Sequence, residues 1–302
     1  MFQNPLVLLA SLLNFTLQSK NYQNVTIQSS GIDRYYLLTL PSNFDASTPT
    51  PVILSFHGGG DNAIEQYKLS QMSNPDFNDF AIAIYPNGID KTWQGVPKVK
   101  TNDIQFTADI IMSLSSRYNI DKSRIFATGK SDGGGFCNVL ACDSVLSTQI
   151  AAFAPVSGAF YVKNDTRCDP IKIEIPCSPG RSNVPMLEFH GGDDNVIRYD
   201  GEGKKKECLP SIPHWIRQWA SRDGLGLKNE SGALKGTNDT TVYEWGSGNE
   251  KALVKHVFDA SIKHDWPSTV NNSDNIKCGH QPASFNATPI IINFFKDHSL
   301  PT

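Results

Sequence analysis

The sequence predicts an α/β protein with a mostly parallel central sheet and helices on both faces. Short, almost continuous apolar runs recur along the chain and alternate with segments of helical periodicity. Strands buried on both faces read as continuous apolar runs, so this alternation favours parallel strands covered by helices. The predicted strands are 35–40, 51–56, 80–85, 124–128, 150–155, 185–189 and 253–258.

Helices are predicted between and after these strands. The best-defined one covers 103–118, where apolar residues recur near helical spacing after a possible cap at Asn102 or Asp103. Others are predicted over 136–142, 209–222 and 288–298. We find no repeat or break in composition, so we expect one folded domain over 20–302. Segment 165–183 is expected to be a disulfide-tied excursion, and 229–248 an exposed loop with one hairpin strand.

The composition and net charge limit the classes of partner that the protein is expected to bind. The chain has 302 residues, 39% of them hydrophobic, and a net charge of −3. A charge this close to neutral argues against nucleic acid or an anionic membrane as the main partner. The one basic run, 204–206, is expected to be a solvated loop.

The N-terminus indicates secretion. Residues 5–13 form an apolar segment of signal-peptide length, so 1–19 is expected to be a secretion signal. A buried N-terminal segment is the alternative, because no basic residue precedes this stretch and no clean cleavage site follows it. Glycosylation sequons support secretion. They occur at Asn14, Asn24, Asn164, Asn229, Asn238, Asn271 and Asn286.

The chain has an even number of cysteines, which in an oxidising compartment are expected to form disulfides. Six cysteines allow 15 pairings, and the sequence does not choose among them. Cys137 and Cys142 are five residues apart on a predicted helix, so we expect them to have other partners. The remaining cysteines are Cys168, Cys177, Cys208 and Cys278.

The strongest motif is the G-x-S-x-G pentapeptide at 129–133. It follows a predicted strand and precedes a predicted helix, which is the setting of a nucleophile elbow. In such a turn Ser131 would expose its hydroxyl above the sheet. The motif therefore predicts Ser131 as a nucleophile.

A serine nucleophile needs a base and an orienting carboxylate, which in this kind of sheet follow it in the order Asp or Glu, then His. The strand at 185–189 leads into a loop with Asp193 and Asp194, of which we favour Asp194. His264 follows the strand at 253–258, and we favour it as the base, with His280 as its rival. The other histidines precede the acid or lie in predicted strands and helices: His57, His190, His214, His256 and His298.

An oxyanion hole is expected next to the nucleophile. The strand at 51–56 ends in a glycine run whose backbone can approach a substrate closely. An N–H from Gly58 or Gly59, with that of Asp132, would stabilise the developing negative charge. An ordinary turn is the alternative for the glycine run.

With these motifs in place, the chain resembles the fungal feruloyl esterases of carbohydrate esterase family one, which have the α/β-hydrolase fold and are related to polyhydroxybutyrate depolymerase-like esterases. The resemblance covers roughly residues 40–295. It is carried by SFHGGG (55–60), YPNGI (85–89), TWQG (92–95), ATGKSDGGGF (127–136), AFAPVSGA (152–159), PMLEFHG (185–191), HDWPS (264–268) and NATPIII (286–292). It departs from the family pattern at 262–263 and in the positions of Cys208 and Cys278.

The resemblance implies Ser131, Asp194 and His264 as a triad, with the H-G-x-x-D pattern supporting Asp194. It implies hydrolysis of hydroxycinnamoyl esters, with feruloylated arabinoxylan or small hydroxycinnamate esters as partners. No metal or organic cofactor and no appended carbohydrate-binding module are implied. A cinnamoyl group needs an apolar slot. Its candidate lining is Trp93, Gln94, Phe136 and Trp266. Phe160 and Tyr161 are further candidates, and for Phe136, Phe160 and Tyr161 core packing is the favoured alternative.

Three other functions stay open at this point. Acetylxylan esterases and polyhydroxyalkanoate depolymerases use the same triad, and the sequence does not give the depth of the pocket. A hydrolase-like protein that only binds glycans is the third alternative, although every expected catalytic residue is present.

Overall fold

A computed structural model describes residues 22–163, 167–237 and 239–301. The strands in these residues are β1 (Gln23–Ser29), β2 (Ile32–Thr39), β3 (Thr50–Phe56), β4 (Ile82–Pro86), β5 (Ile120–Lys130), β6 (Ala152–Val156), β7 (Met186–Gly191), β8 (Glu202–Lys204), β9 (Glu207–Leu209), β10 (Glu230–Ala233), β11 (Thr240–Trp245) and β12 (Val254–Asp259). The α-helices are α1 (Ala63–Ser70), α2 (Asp103–Arg117), α3 (Asp132–Cys142), α4 (Ile212–Arg222), α5 (Ser273–Cys278) and α6 (Ala287–Lys296).

Ten of these strands form one sheet in the order β1-β2-β4-β3-β5-β6-β7-β12-β11-β10. The six central strands, β4 to β12 in that order, pair in parallel. Antiparallel strands complete both edges. The carboxyl ends of the parallel strands therefore meet at one edge of the sheet, where ligands bind in folds of this type.

Helices cover both faces of the sheet. On one face α2, α3 and α4 contribute Phe106, Leu140 and Trp215 to a core cluster. On the other face α1 and α6 contribute Leu69 and Ile291 to a second cluster. The sheet between them is buried on both sides, as its continuous apolar strands predict.

The predicted core strands and helices are present, with shifted boundaries. The helix predicted at 209–222 begins at Ile212, because Ser211 caps it with its side chain and the preceding residues form β9. The helix predicted at 136–142 begins four residues earlier, directly after Ser131. Segment 229–248 contains two hairpin strands, β10 and β11, rather than one.

The cysteines form two disulfides in the described residues, Cys142–Cys177 and Cys168–Cys208. Both tie the 167–183 segment to the rest of the fold, as expected, and Cys142 pairs away from Cys137. The expectation that all six cysteines pair is wrong for Cys137 and Cys278. Cys137 lies on α3 and is buried in the hydrophobic core, whereas Cys278 lies on α5 and is exposed. The two thiols are therefore in different environments and do not meet.

The expected signal at 1–19 and the sequons at Asn14, Asn164 and Asn238 lie outside the described residues. In the described part of the chain, no helix combines the length and apolar character that a membrane crossing requires.

Candidate active site

Ser131 sits at a sharp turn between β5 and α3. Its backbone has φ 55° and ψ −118°, a left-handed conformation that is strained for a residue with a side chain. Three hydrogen bonds hold it there: its N–H donates to the Val156 carbonyl at 3.0 Å, and its carbonyl accepts from Gly135 at 2.8 Å and Ala159 at 2.9 Å. The end of β6, the residue Ala159 that follows it and the first turn of α3 thus fix the turn that follows β5.

The glycines of the motif are required by close packing. A methyl group on Gly129 would lie 2.6 Å from the Gly133 carbonyl, and one on Gly133 would collide with the Phe56 carbonyl at the end of β3. Any larger residue would therefore push α3 away from the sheet. The tight turn and the helix that starts at Asp132 depend on these two positions.

Asp194 and His264 meet above the carboxyl ends of β7 and β12, which are neighbours in the sheet. His264 Nδ1 lies 2.7 Å from Asp194 Oδ2, and both side chains are buried. The other oxygen, Asp194 Oδ1, accepts the N–H groups of Val196 and Ile197 at 2.8 Å each. The carboxylate is thus held by the backbone of its own loop while it orients the imidazole.

This contact settles the tautomer of a neutral His264. A carboxylate only accepts hydrogen bonds, so Nδ1 carries the proton and Nε2 is left with its lone pair. Among the hydrogen bonds of the described residues, the one that His264 makes is from Nδ1 to Asp194, so Nε2 is free of an internal acceptor or donor. The loops carrying Ser131 and His264 are linked through Ser157, which follows β6 and donates its hydroxyl to the Asp265 carbonyl at 3.1 Å.

The protonation states suit a base and its orienting acid. Burial and the ammonium of Lys130 lower the pKa of His264 below its usual 6.5, against the opposing effect of Asp194. Burial would raise the pKa of Asp194, but hydrogen bonds from His190 and His264 hold it well below its usual value. At neutral pH the pair is therefore a carboxylate and a neutral imidazole.

A buried ion pair ties the serine turn to the histidine loop. Lys130, the residue before Ser131, places its ammonium 2.9 Å from Asp274 Oδ1 on α5. Asp274 Oδ2 accepts the N–H of Trp266, two residues after His264, at 2.8 Å. Sequence reasoning missed both roles, since Lys130 read only as a variable position of the motif.

The glycine loop after β3 packs against the serine turn. A methyl group on Gly58 would lie 3.6 Å from Ser131 Cβ, and one on Gly59 would collide with the Asp132 carboxylate. The expected oxyanion-hole segments are thus adjacent, at Gly58, Gly59 and Asp132.

The His57 side chain connects this loop to the segment that follows β4 by hydrogen bonds. Its Nε2 accepts the N–H of Gly88 at 2.9 Å, so Nδ1 carries the proton that faces the Gly58 carbonyl at 2.8 Å. Burial lowers the pKa of His57 to about 4, which keeps the ring neutral. The sequence signal for this role was the histidine that directly precedes the glycine run.

The predicted substrate-pocket residues are committed to other contacts. Trp93 and Phe136 are fully buried, stacked with ring centroids 5.4 Å apart. Trp266 is 1% exposed and donates its indole N–H to Thr288 Oγ1 at 2.9 Å. The Gln94 side chain caps the start of α2, where its Oε1 accepts the N–H of Asp103 at 3.0 Å. Trp93 and Trp266 are therefore packed in the core, whereas Gln94 and Phe136 also line a small cavity.

A small cavity of about 20 Å³ lies beside Asp132. Phe136, Phe160 and the half-buried Tyr161 contribute to its wall. Phe160 itself packs in the core, stacked at 3.8 Å on Trp215. Tyr161 is therefore the aromatic residue of this group that remains partly accessible.

His280, the rival base, contacts a different carboxylate from the one that orients His264. Its Nε2 is 3.0 Å from the Asp265 carboxylate. With Cys278 these residues form the one group of three potential metal ligands found in the described ranges. The hydrogen bond between His280 and Asp265 already accounts for the arrangement, and we assign no metal to it.

Comparisons with known proteins bear on the family. The chain is 31% identical over 202 residues to feruloyl esterase B of Piromyces equi, covering 63% of this chain and 36% of that protein. It is 28% identical over 230 residues to the probable feruloyl esterase C of Aspergillus oryzae, covering 73% and 69%. The resemblance to the fungal feruloyl esterases is confirmed.

A further relative is a bifunctional acetylxylan esterase/xylanase of Neocallimastix patriciarum, 28% identical over 240 residues, covering 76% of this chain and 31% of that protein. The chain thus spans about a third of the Piromyces and Neocallimastix proteins. No family model matches the sequence.

Solved structures share the fold. An acetyl xylan esterase from Aspergillus awamori superposes with a TM-score of 0.64 at 18% identity, covering 82% of this chain and 96% of that chain. The feruloyl esterase module from Clostridium thermocellum gives 0.56 at 14% identity, covering 81% and 82%. The predicted α/β-hydrolase fold is therefore confirmed.

The His264 environment yields a prediction about titration. Because burial and Lys130 oppose protonation, His264 should titrate below pH 6.5, which ¹⁵N NMR of the histidine-labelled protein between pH 4.5 and 8 measures. His264→Gln assigns the signal, and buried His57 is the internal control that stays neutral down to about pH 4. A His264 midpoint at or above 6.5 would contradict the electrostatic account.

Proposed function

We propose that the protein is a serine esterase that hydrolyses feruloyl and related hydroxycinnamoyl esters through Ser131, His264 and Asp194. The observation that carries the proposal is the strained serine turn beside the buried Asp194–His264 pair, at the edge where parallel strands end. The relatives named feruloyl esterase supply the substrate class. Feruloylated arabinoxylan and small hydroxycinnamate esters are the proposed partners, and an extracellular location goes with them.

The proposed reaction is a two-step acyl transfer. His264 Nε2 takes the Ser131 hydroxyl proton as the oxygen attacks the ester carbonyl. Asp194 orients the imidazole and stabilises its charged form without taking the proton. The imidazolium then protonates the departing alcohol, and water repeats the attack on the acyl-enzyme.

The N–H of Asp132 and one from Gly58 or Gly59 are the proposed donors to the tetrahedral oxyanion. Asp132 is the first residue of α3, so its N–H is one of the unpaired donors of a helix N-terminus. Removing one such donor typically costs about 2.7–4 kcal/mol of transition-state stabilisation.

The nucleophile assignment is tested by Ser131→Ala. We expect kcat to fall by at least about 10³-fold, because the acyl-enzyme can no longer form. The control is Ser30→Ala, a serine with a similar left-handed backbone (φ 52°) in the β1–β2 turn, which should leave kcat unchanged. Turnover near that of the wild type in Ser131→Ala would contradict the proposal.

An acetyl ester is the second candidate substrate. It is favoured by the cavity of about 20 Å³ beside Asp132 and by the buried Trp93, Phe136 and Trp266. Pockets that enclose drug-sized ligands are typically about 300–1,000 Å³. A cinnamoyl ring would therefore have to lie outside this cavity, against the half-buried Tyr161, whereas an acetyl group needs little space.

The ratio of kcat/KM for methyl ferulate and 4-nitrophenyl acetate separates the two substrates. The feruloyl proposal predicts strong turnover of methyl ferulate and a marked loss in Tyr161→Ala, with acetate cleavage little changed. Acetate cleavage without ferulate turnover would keep the triad and assign the chain to small acyl esters.

A further inference from the structure

A set of buried ionisable groups lies behind Asp194 and takes no part in the acyl-transfer steps. Glu188 and His190 are both on β7, two residues apart, so their side chains leave the same face of the strand. Their side chains and that of Asp194 have no exposed surface. Burying charged groups is unfavourable unless they are paired, so their pairing requires an explanation.

These side chains form a chain of contacts that starts at Asp194 and leads away from His264. His190 Nε2 lies 3.3 Å from Asp194 Oδ2, the oxygen that also faces His264. His190 Nδ1 lies 2.8 Å from Glu188 Oε1. Glu188 Oε2 lies 2.7 Å from His256 Nδ1, and His256 Nε2 lies 3.0 Å from the Tyr199 hydroxyl. We call Glu188, His190, His256 and Tyr199 together the Glu188 network.

The geometry assigns protons to both nitrogens of His190. Its Nε2 is 2.8 Å from the Ile197 carbonyl, which can only accept a hydrogen bond, so Nε2 carries a proton. Its Nδ1 faces the Glu188 carboxylate, which also accepts when ionised. An ionised Glu188 therefore implies an imidazolium at His190.

The charges are consistent with this assignment. Burial alone would lower the pKa of His190, but Glu188 and Asp194 together raise it to about 10. Burial would raise the pKa of Glu188, and His190 and His256 bring it below its usual value. His256 Nδ1 faces the carboxylate and the carbonyl of Glu188, and its Nε2 is within hydrogen-bond distance of the Tyr199 hydroxyl.

We propose that His190 is a permanently protonated positioning residue, held in that state by Glu188, which keeps Asp194 ionised and His264 neutral. The inference rests on the proposed esterase function and adds a residue to it. In this arrangement Asp194 is contacted by a fixed cation on one side and by the catalytic imidazole on the other.

The effect on His264 has a definite sign. His190 is a cation near His264, so it disfavours a second positive charge there and lowers the pKa of His264. The other charged groups around His264 are Asp194 on the β7 side and Lys130 at the end of β5. Around His190 they are Glu188 and Asp194, and the Tyr199 ring lies beside the imidazole with ring centroids 6.1 Å apart. Without the His190 charge, His264 becomes easier to protonate.

The test removes the ion pair as a unit in the double variant Glu188→Gln/His190→Gln, so that neither Glu188 nor His190 is left as an unpaired buried charge. We expect kcat to fall roughly tenfold, since a hydrogen bond to a charged group is lost at Asp194. We expect the acidic limb of the pH profile of kcat/KM to move to higher pH by about half a unit or more.

The control is Asp223→Asn, which alters a buried carboxylate that accepts the N–H of Val184 at 3.1 Å, before the start of β7. It should lower the melting temperature and leave the acidic limb in place. If the double variant likewise loses stability without a shift of the limb, the network is only structural and the inference is overturned.

A direct readout does not depend on turnover. In ¹⁵N NMR of the wild-type protein at pH 8, His190 should carry protons on both ring nitrogens, and Glu188→Gln should abolish this state. A neutral His190 at pH 8 overturns the inference even if esterase activity is present. Absence of ester hydrolysis by the wild type would instead refute the proposed function, and with it the positioning role.

Discussion

The hydrogen bond between His264 Nδ1 and Asp194 Oδ2 is the interaction on which the account of this molecule depends. Its two residues follow β7 and β12, which lie side by side in the sheet. Parallel strands bring their carboxyl ends to one edge, so residues 70 positions apart meet at 2.7 Å. The bond fixes the tautomer of His264 and leaves Nε2 able to accept a proton.

The surrounding structure holds that bond in place and sets its charge. Lys130 pairs with Asp274 and thereby ties the serine turn to the segment that follows His264. Lys130 and His190 each add positive charge near the pair, and both lower the pKa of His264. The neutral base that ester hydrolysis needs is therefore stabilised by cations on two sides.

Local motifs made much of this site predictable from the sequence. The G-x-S-x-G turn at Ser131, and the loops carrying Asp194 and His264, are each defined by a short segment next to a strand. The glycine run at Gly58 and Gly59 is equally local. These segments converge because the sheet is parallel. The parallel arrangement was itself predicted from the continuous apolar strands.

The Glu188 network could not be predicted, because it depends on contacts across strands. Glu188 is directly opposite His256 in the pairing of β7 with β12, and no local pattern gives that register. The burial of the aromatic side chains could not be predicted from the sequence either. Trp93 and Trp266 lie near the site along the chain, yet both indoles are buried by packing that the sequence does not reveal. The disulfide pairs were undetermined for a similar reason, since fifteen pairings fit six cysteines.

Covalent labelling with a serine-directed alkyl fluorophosphonate tests the central claim most directly. Peptide mapping by mass spectrometry should find a single adduct on Ser131 after brief treatment of the folded protein at pH 8. His264→Gln should slow the labelling strongly, because the base that activates the hydroxyl is lost. An adduct on another residue, or no adduct under conditions that label a known serine esterase, would contradict the assignment of Ser131, His264 and Asp194 as one catalytic unit.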